Sequence, residues 1–177
     1  MGELSREQKE SVQEVLQNGA SLLSLINGLL DLAKIEAGKM SLDIREFQVP
    51  HLLHRVQRMI DSLVQRKQQK MHVLVDGVFP VCQGDELKLQ QILLNLLSNA
   101  IKFTPQGGEI TLAARHLTSG FIEFSVSDTG IGIPEDAIPP LFEKFYRVRE
   151  NAAKVGGTGL GLSICKQIVM GHNGSIE

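Results

Sequence analysis

The chain has 177 residues, of which 42% are hydrophobic and 21% charged, and its formal net charge at pH 7 is −2. A chain of this size has room for one hydrophobic core and a smaller appendage, and its nearly balanced charge excludes the basic footprint of a nucleic-acid-binding protein. It contains no apolar run near the roughly 20 residues that span a bilayer, and its two cysteines form no CxxC pair, so we expect no membrane contact and a reducing, cytoplasmic location.

The first region predicts one long helix over residues 5–37. Its apolar and small side chains recur in a 3-4-3-4 spacing beside a flanking apolar row: Val12, Val15, Gly19, Leu22, Ile26, Leu29 and Ala33, then Leu16, Leu23 and Leu30. One helix cannot bury so wide a stripe alone, so we expect it to pack on a second helix. That helix would come from the globular part, from a second copy or from another segment. Gly38 then ends the helix, and an extended linker runs to Pro50.

Residues 50–177 predict helices and strands around an antiparallel or mixed sheet, which is an α+β two-layer arrangement. The expected elements are a helix over 50–69, a strand over 71–76, a helix from Asp85 to about 103, and a hairpin of "EITLAARHL" and "FIEFSVSD". A long loop and a final helix complete the order.

The predicted helix over 85–103 carries an unusual polar stripe beside its apolar face. The stripe contains Lys88, Gln91, Asn95, Asn99 and Lys102. Asparagine inside a helix lowers its stability by roughly a few tenths of a kcal/mol, so two on one stripe indicate a function. An amide oxygen is a neutral ligand for Mg²⁺, and a lysine one turn further can meet phosphate. A solvated surface is the alternative interpretation.

The stretch "FIEFSVSDTGIGIP" places a carboxylate where apolar side chains point. Alternation along the strand puts Asp128 on the same side as Phe124 and Val126. A buried carboxylate requires hydrogen-bond donors, which the amino group of a nucleobase supplies, and Gly130 and Gly132 leave room for a flat ring. A structural aspartate that caps the turn is the alternative.

The stretch "GGTGLGLSICKQIV" leads a glycine-rich loop into a helix. Free backbone N–H groups at a helix start form a good phosphate site, although a simple turn has the same composition. The stretch is neither a Walker A loop nor a Rossmann fingerprint. More than twenty residues separate Gly132 from Gly156, and so long a connection indicates a functional lid, with Phe142 and Phe145 as anchors or as ordinary core residues.

Four stretches in this order resemble the N, G1, F and G2 boxes of sensor histidine kinases of two-component systems. They are 95–102, 128–132, 142–147 and 157–161. "LINGLLDLAKIEAGKM" is similar to the end of the second helix of the dimerisation and phosphoacceptor hairpin of that family. The resemblance covers nearly the whole chain.

The resemblance implies a Bergerat-type α/β sandwich that binds ATP and Mg²⁺. It places Asn99 and Asn95 on the metal, Lys102 near the phosphates, Asp128 on the adenine amino group and Arg147 near the γ-phosphate. The implied nucleotide-binding residues are Asn95, Asn99, Lys102, Asp128, Gly130, Gly132, Phe145, Arg147, Gly157, Thr158, Gly159, Leu160 and Gly161.

The implied organisation is a dimerisation helix over 1–40, a linker over 41–49 and an ATP-binding catalytic domain over 50–177. The implied partners are a response-regulator receiver domain and, in the full-length protein, a second copy through the dimerisation helices. The resemblance implies a cytoplasmic location, either in a soluble kinase or in the cytoplasmic part of a membrane-bound receptor.

The chain departs from the family pattern at both ends. None of its five histidines stands in the sequence context of a phosphoacceptor, so we expect no autophosphorylation within this chain and assign no catalytic residue. The family also continues beyond "GHNGSIE" with at least one more strand, so we expect the catalytic domain to lack that strand here.

Three other functions are alternatives. ATP hydrolases of the same fold, such as gyrase, carry a water-activating glutamate at the position of Asn95, and an amide cannot act as a base. Serine kinases of the anti-sigma type share the nucleotide boxes but lack the long helix. A module that binds a nucleotide or a partner helix without chemistry is the non-enzymatic alternative.

Overall fold

A computed structural model of the protein describes residues 5–148 and 157–177. In chain order its elements are α1 (Arg6–Glu36), β1 (Arg45–Phe47), α2 (Val49–Arg66), β2 (Lys70–Asp76), β3 (Cys82–Gly84), α3 (Glu86–Phe103), β4 (Glu109–His116), β5 (Ile122–Asp128), a 3-10 turn (Glu135–Ala137) and α4 (Gly161–Gly171). Helices pack against a mixed sheet, which confirms the predicted α+β class.

The main sheet has three strands in the order β2-β4-β5, with β2 parallel and β5 antiparallel to the central β4. The register places Leu112 opposite Val73 and Val126. Alternate residues of β4, among them Ile110 and Leu112, are fully buried, because one face of the sheet is covered by helices while the other meets solvent.

Helices α2 and α3 form the layer on this sheet. Pro50 lies in the first turn of α2, where its missing N–H costs nothing. Apolar residues then follow at helical spacing, and all are buried: Val49, Leu52, Leu53, Val56, Ile60 and Val64. They pack with Leu93, Leu97 and the inner residues of β4 in one core cluster.

Two short strands, β1 and β3, were not predicted from the sequence. They pair antiparallel, with Phe47 opposite Cys82 and Arg45 opposite Gly84. β1 falls within the predicted linker over 41–49, so this segment is extended as expected, but its residues 45–47 pair with the domain. Three residues are too few to produce a recognisable alternation.

Helix α1 contacts the rest of the described chain mainly through its last two turns. It begins with a capping box between Ser5 and Gln8 and ends before Gly38, which has a φ of 63°. The covered residues, Gly28 and Leu32, lie beside the predicted stripe and do not belong to it. The stripe residues whose side chains the structure describes are exposed, among them Val12, Val15, Leu22, Leu23, Ile26, Leu29 and Leu30.

Helix α4 closes a second core cluster with the end of α1. Leu32 of α1, Ile92 of α3 and Ile164 of α4 are buried together. The backbone N–H of Asp85 donates to Nε2 of His172 at 3.0 Å, so Nδ1 carries the proton that it shares with the Ile168 carbonyl at 2.8 Å. This histidine links the end of α4 to the start of α3. None of the described helices combines the length and apolar character that crossing a bilayer requires.

Candidate functional site

The first half of the polar stripe on α3 faces α1. Lys88 Nζ donates to Asp31 at 3.3 Å, and Gln91 Nε2 donates to the other carboxylate oxygen at 2.9 Å. Asp31 is half-buried and receives both donors. These two stripe residues therefore attach α1 to the domain, a role that the sequence alone does not reveal.

Asn95, in the middle of the stripe, faces the first turn of α4. Its Nδ2 lies 3.6 Å from Cys165 Sγ, and a Cβ on Gly161 would lie 3.5 Å from its Cγ. Burial raises the pKa of the Cys165 thiol to about 11, so the sulfur stays a thiol that accepts the amide hydrogen. The bond directs Nδ2 of Asn95 toward α4 and leaves Oδ1 as the acceptor atom of the amide.

The last part of the stripe meets the glycine-rich loop. Asn99 is half-buried and lies one turn before Lys102. A Cβ on Gly157 would lie 3.0 Å from Lys102 Nζ. Burial lowers the pKa of Lys102, and the positive charge of Arg147 lowers it further. Two cations and a glycine loop therefore converge at one place, and an anion bound there would relieve their repulsion.

Binding of a polyphosphate is expected to be accompanied by proton uptake at Lys102. The anion raises the lowered pKa of Lys102, so protons bind when the pH lies between the lowered value and the raised one. Titration calorimetry in two buffers of different ionisation enthalpy, over a series of alkaline pH values below 10.5, measures the uptake. Lys102→Met is the control and should show none; equal uptake by this variant would contradict the assignment.

The same shift affects stability. The folded pKa of Lys102 lies below its ordinary value of 10.5, so the unfolded chain binds more protons between the two values. The charged lysine therefore lowers the free energy of unfolding at pH values below its folded pKa. This penalty disappears as the pH rises toward 10.5.

Asp128 lies at the end of β5 next to the C-terminal end of α3. Its Oδ1 accepts hydrogen bonds from the Gly130 N–H at 2.8 Å and the Thr104 hydroxyl at 3.3 Å. A Cβ on Gly130 would lie 2.5 Å from this oxygen and 2.9 Å from the Phe103 carbonyl, so only glycine fits. Within the described residues, Oδ2 has no donor.

The expectation that Asp128 is buried is wrong. It shares a face of β5 with Val126 as predicted, but its side chain is exposed. Asp128 is the last residue of β5, an edge strand of the three-stranded sheet, whereas Ile110, opposite it on the central strand, is buried. The Oδ1 donors of Asp128 come from the protein itself, and its exposed Oδ2 remains available to a ligand.

The loop after Gly132 returns to the glycine-rich loop through one backbone contact. Phe145, with a φ of 62°, donates its N–H to the Gly159 carbonyl at 2.9 Å. Its side chain is 60% exposed, so Phe145 does not anchor the loop by burial. An open cavity of about 600 Å³ lies beside it, lined by Pro134, Asp136, Ala137, Phe145, Tyr146, Arg147 and Val148.

The glycine-rich loop leads into α4 through residues with different surroundings. The Leu160 N–H donates to Thr158 Oγ1 at 3.3 Å. The Leu160 side chain is 2% exposed and belongs to the second core cluster, so it fixes the loop to the domain. Gly132 has a φ of 70° and no neighbour near its Cβ position, which suits a hinge.

The arrangement can bind a flat polar ring and an anion near the same helix end. Asp128 offers a carboxylate oxygen, and Lys102 and Arg147 offer positive charge. No three His, Cys, Asp or Glu side chains gather as a metal site in residues 5–148 and 157–177. The amide oxygens of Asn95 and Asn99 still fit Mg²⁺, because this ion is commonly held by few protein ligands together with phosphates and water.

Sequence reasoning missed the residues that orient the predicted ones. Thr104 is buried, yet its hydroxyl reaches Asp128 from the residue that caps α3. The sequence signal for this role was its position between Phe103 and Pro105. A residue before proline tends to end a helix, and a threonine hydroxyl there forms hydrogen bonds to nearby groups. Nothing in the sequence pairs Cys165 with Asn95 or Asp31 with Gln91.

Comparisons with known proteins agree with this geometry. The family model of histidine kinase-, DNA gyrase B-, and HSP90-like ATPases matches residues 84–177, just over half of the chain. The circadian input-output histidine kinase CikA of Synechococcus elongatus is 38% identical over 179 residues, which cover 99% of this chain and 24% of CikA. The chain thus spans about a quarter of that relative.

Solved structures show the same fold. Full-length ShkA in complex with AMPPNP matches with a TM-score of 0.79 and 33% identity, over 96% of this chain and 35% of ShkA. The catalytic domain of the histidine kinase ThkA matches with a TM-score of 0.62 and 26% identity, over 73% of this chain and 83% of that domain. The chain therefore belongs to the family of histidine kinase-, DNA gyrase B-, and HSP90-like ATPases, and the relatives it resembles within that family are histidine kinases.

Proposed function

We propose that this chain is the ATP-binding catalytic portion of a sensor histidine kinase. It would transfer the γ-phosphate of ATP to a histidine on a separate helix, for relay to an aspartate of a response-regulator receiver domain. The observation that supports the proposal is the end of α3. There Lys102 lies beside Gly157 of the glycine-rich loop and near the charge of Arg147, while the Thr104 hydroxyl donates to Asp128. ShkA, a similar structure, holds the ATP analogue AMPPNP.

In this proposal each site residue has one task. Asp128 Oδ2 accepts a hydrogen bond from the adenine amino group, and Gly130 keeps the backbone clear of the ring. Lys102, Arg147 and the N–H groups of the 157–161 loop bind the phosphates. Asn99 and Asn95 would hold Mg²⁺, which offsets the negative charge of the phosphate oxygens when bound.

The chemical step needs a histidine that this chain is not expected to contribute itself. An imidazole nitrogen attacks the γ-phosphorus, the bond to the bridging oxygen breaks, and ADP leaves with that bond's electron pair. The imidazole proton passes to solvent, because no described residue is assigned as the base. Phosphorylation would occur in a dimer formed through α1, whose exposed apolar residues suit a helical partner.

Asn99→Ala is expected to remove most of the magnesium dependence of ATP binding. Loss of one amide ligand lowers metal affinity by roughly tenfold or more, whereas alanine preserves the helix. Titration calorimetry with ATP, with and without Mg²⁺, measures the effect. Asn27→Ala, on the exposed surface of α1, is the matched control and should behave as the wild-type chain.

Transfer in trans tests the kinase itself. Incubating the chain with γ-labelled ATP and a dimerisation helix that carries a histidine should yield an acid-labile, alkali-stable phosphoprotein. Steady phosphate release without such a product would favour the hydrolase alternative. ATP binding with neither outcome would favour a binding module. Asn95 argues against hydrolysis, because its amide contacts Cys165 and cannot activate water.

A further inference from the structure

The segment Lys67–Gln69, between α2 and β2, holds the C-terminal end of α3. Lys67 Nζ donates to the carbonyls of Ile101 at 2.7 Å, Lys102 at 2.9 Å and Thr104 at 3.3 Å. Gln69 Nε2 donates to Ile101 at 3.1 Å and Thr104 at 2.7 Å. Two side chains therefore bind the same helix end.

These hydrogen bonds satisfy backbone carbonyls at the C-terminal end of α3. The last four carbonyls of a helix have no partner within it and carry a partial negative charge. The Thr104 N–H already uses the Ala100 carbonyl, and the next carbonyls along the helix are those that Lys67 and Gln69 bind. Gln69 is only 7% exposed, so its donors would be costly to leave unused.

The segment is itself held in an uncommon conformation. Gln68, between the two donors, has a φ of 52°, which few residues other than glycine adopt. Its Oε1 accepts a hydrogen bond from Gln106 Nε2 at 2.8 Å, and the Lys70 N–H donates to the Gly108 carbonyl at 2.9 Å. The left-handed turn directs the side chains on both sides of it toward one helix end.

The helix end held in this way carries the proposed nucleotide contacts. Lys102 lies in its last turn, Thr104 donates to Asp128, and the Phe103 carbonyl leaves space only for a glycine at 130. Building on the proposed function, we propose that Lys67 and Gln69 are positioning residues for nucleotide recognition. They set the distance between the phosphate-binding Lys102 and the adenine-binding Asp128 without touching the nucleotide.

The test compares affinities for Mg·ATP and Mg·GTP in the full chain. Lys67→Met removes the ammonium group and keeps the apolar stem. We expect its ATP affinity to fall about tenfold and its ATP:GTP affinity ratio to narrow. Lys67→Arg should retain more of both than Lys67→Met. Lys70→Met is the matched control, because Lys70 pairs with Glu109 on the sheet surface, and should leave both quantities unchanged.

The affinity ratio separates positioning from a general loss of folding. Partial unfolding lowers both affinities by one factor and leaves the ratio constant. An unchanged ratio in a folded Lys67→Met chain, when the wild-type chain binds ATP, would overturn this inference and leave the proposed function standing. Failure of the wild-type chain to bind ATP would overturn both.

Gln69→Leu is the second variant, in case Lys67→Met does not fold. It removes the amide donors and should narrow the ratio in the same direction. If neither variant folds, the inference is also overturned. The contacts of Lys67 and Gln69 would then be required for folding and would not serve specifically to position the nucleotide-binding residues.

Discussion

Replacing Asp128 by asparagine is expected to lower ATP affinity by roughly 10- to 100-fold, the usual cost of losing a charge-assisted hydrogen bond. Asparagine keeps an oxygen for the Gly130 N–H and the Thr104 hydroxyl, which both use Oδ1. The exposed Oδ2 becomes an amide nitrogen, which donates and cannot accept from the adenine amino group. The fold is preserved while one ligand contact is reversed.

The same change should favour guanine. Guanine carries a carbonyl oxygen where adenine carries its amino group, so the wild-type carboxylate repels it, whereas the amide of the Asp128→Asn variant would donate to it. We expect ATP and ADP affinities to fall by the same factor, because the phosphate contacts remain, and GTP affinity to rise. Competition titrations with the three nucleotides measure this. Asp76→Asn, which changes an exposed aspartate at the end of β2, is the control.

An ATP:GTP preference that is identical in the Asp128→Asn and wild-type chains would show that the adenine assignment is wrong. A fall in ATP affinity that spares ADP would instead place Asp128 near the γ-phosphate. The first result removes Asp128 from the adenine site, and the second moves it to the phosphates.

The sequence predicts the helices and strands of this protein well where the hydrophobic periodicity is strong. The apolar spacing of α2 and the N-cap at Asp85 gave helices close to those observed. Alternation also placed Asp128 on the correct side of β5. It could not predict the exposure of Asp128, because exposure depends on which strand lies at the edge of the sheet.

The site residues could be grouped from the sequence, but their orientation could not. The stripe on α3 reads as one surface, yet Gln91 faces α1, Asn95 faces α4 and Lys102 faces the glycine loop. These neighbours lie far away in sequence and carry no shared pattern. Lys67 lies in the polar stretch "QRKQQK" over 65–70, which has the composition of a solvated helix end, although Lys67 binds three carbonyls.

Gly159→Ala is the second change expected to have a large effect, because Gly159 packs directly on the backbone of Phe145. Its φ is 70°, and a Cβ would lie 2.8 Å from the carbonyl carbon and 2.9 Å from Cα of Phe145. Backbone cannot move aside as a flexible side chain can. The methyl group must therefore separate the two segments and break their hydrogen bond of 2.9 Å.

Separation would displace the loop proposed to bind phosphate, because Gly157 and Thr158 lie directly before the contact. We expect ATP affinity to fall by roughly 10- to 100-fold, for a strain of about 1–3 kcal/mol. The free energy of unfolding should fall by less than the binding free energy, since Leu160 stays anchored in the core. Titration calorimetry and chemical denaturation measure the two quantities.

Gly120→Ala isolates the steric part of this effect. Gly120 has a φ of 85° and no atom within 4 Å of its Cβ position, so alanine there meets only the cost of a left-handed backbone, about 1 kcal/mol. Equal ATP affinities in the two variants would mean that the Phe145 contact does not shape the phosphate site. A loss confined to Gly159→Ala would explain why Phe145 itself has a positive φ. That conformation is strained for a phenylalanine, and it brings its N–H onto the loop proposed to bind phosphate.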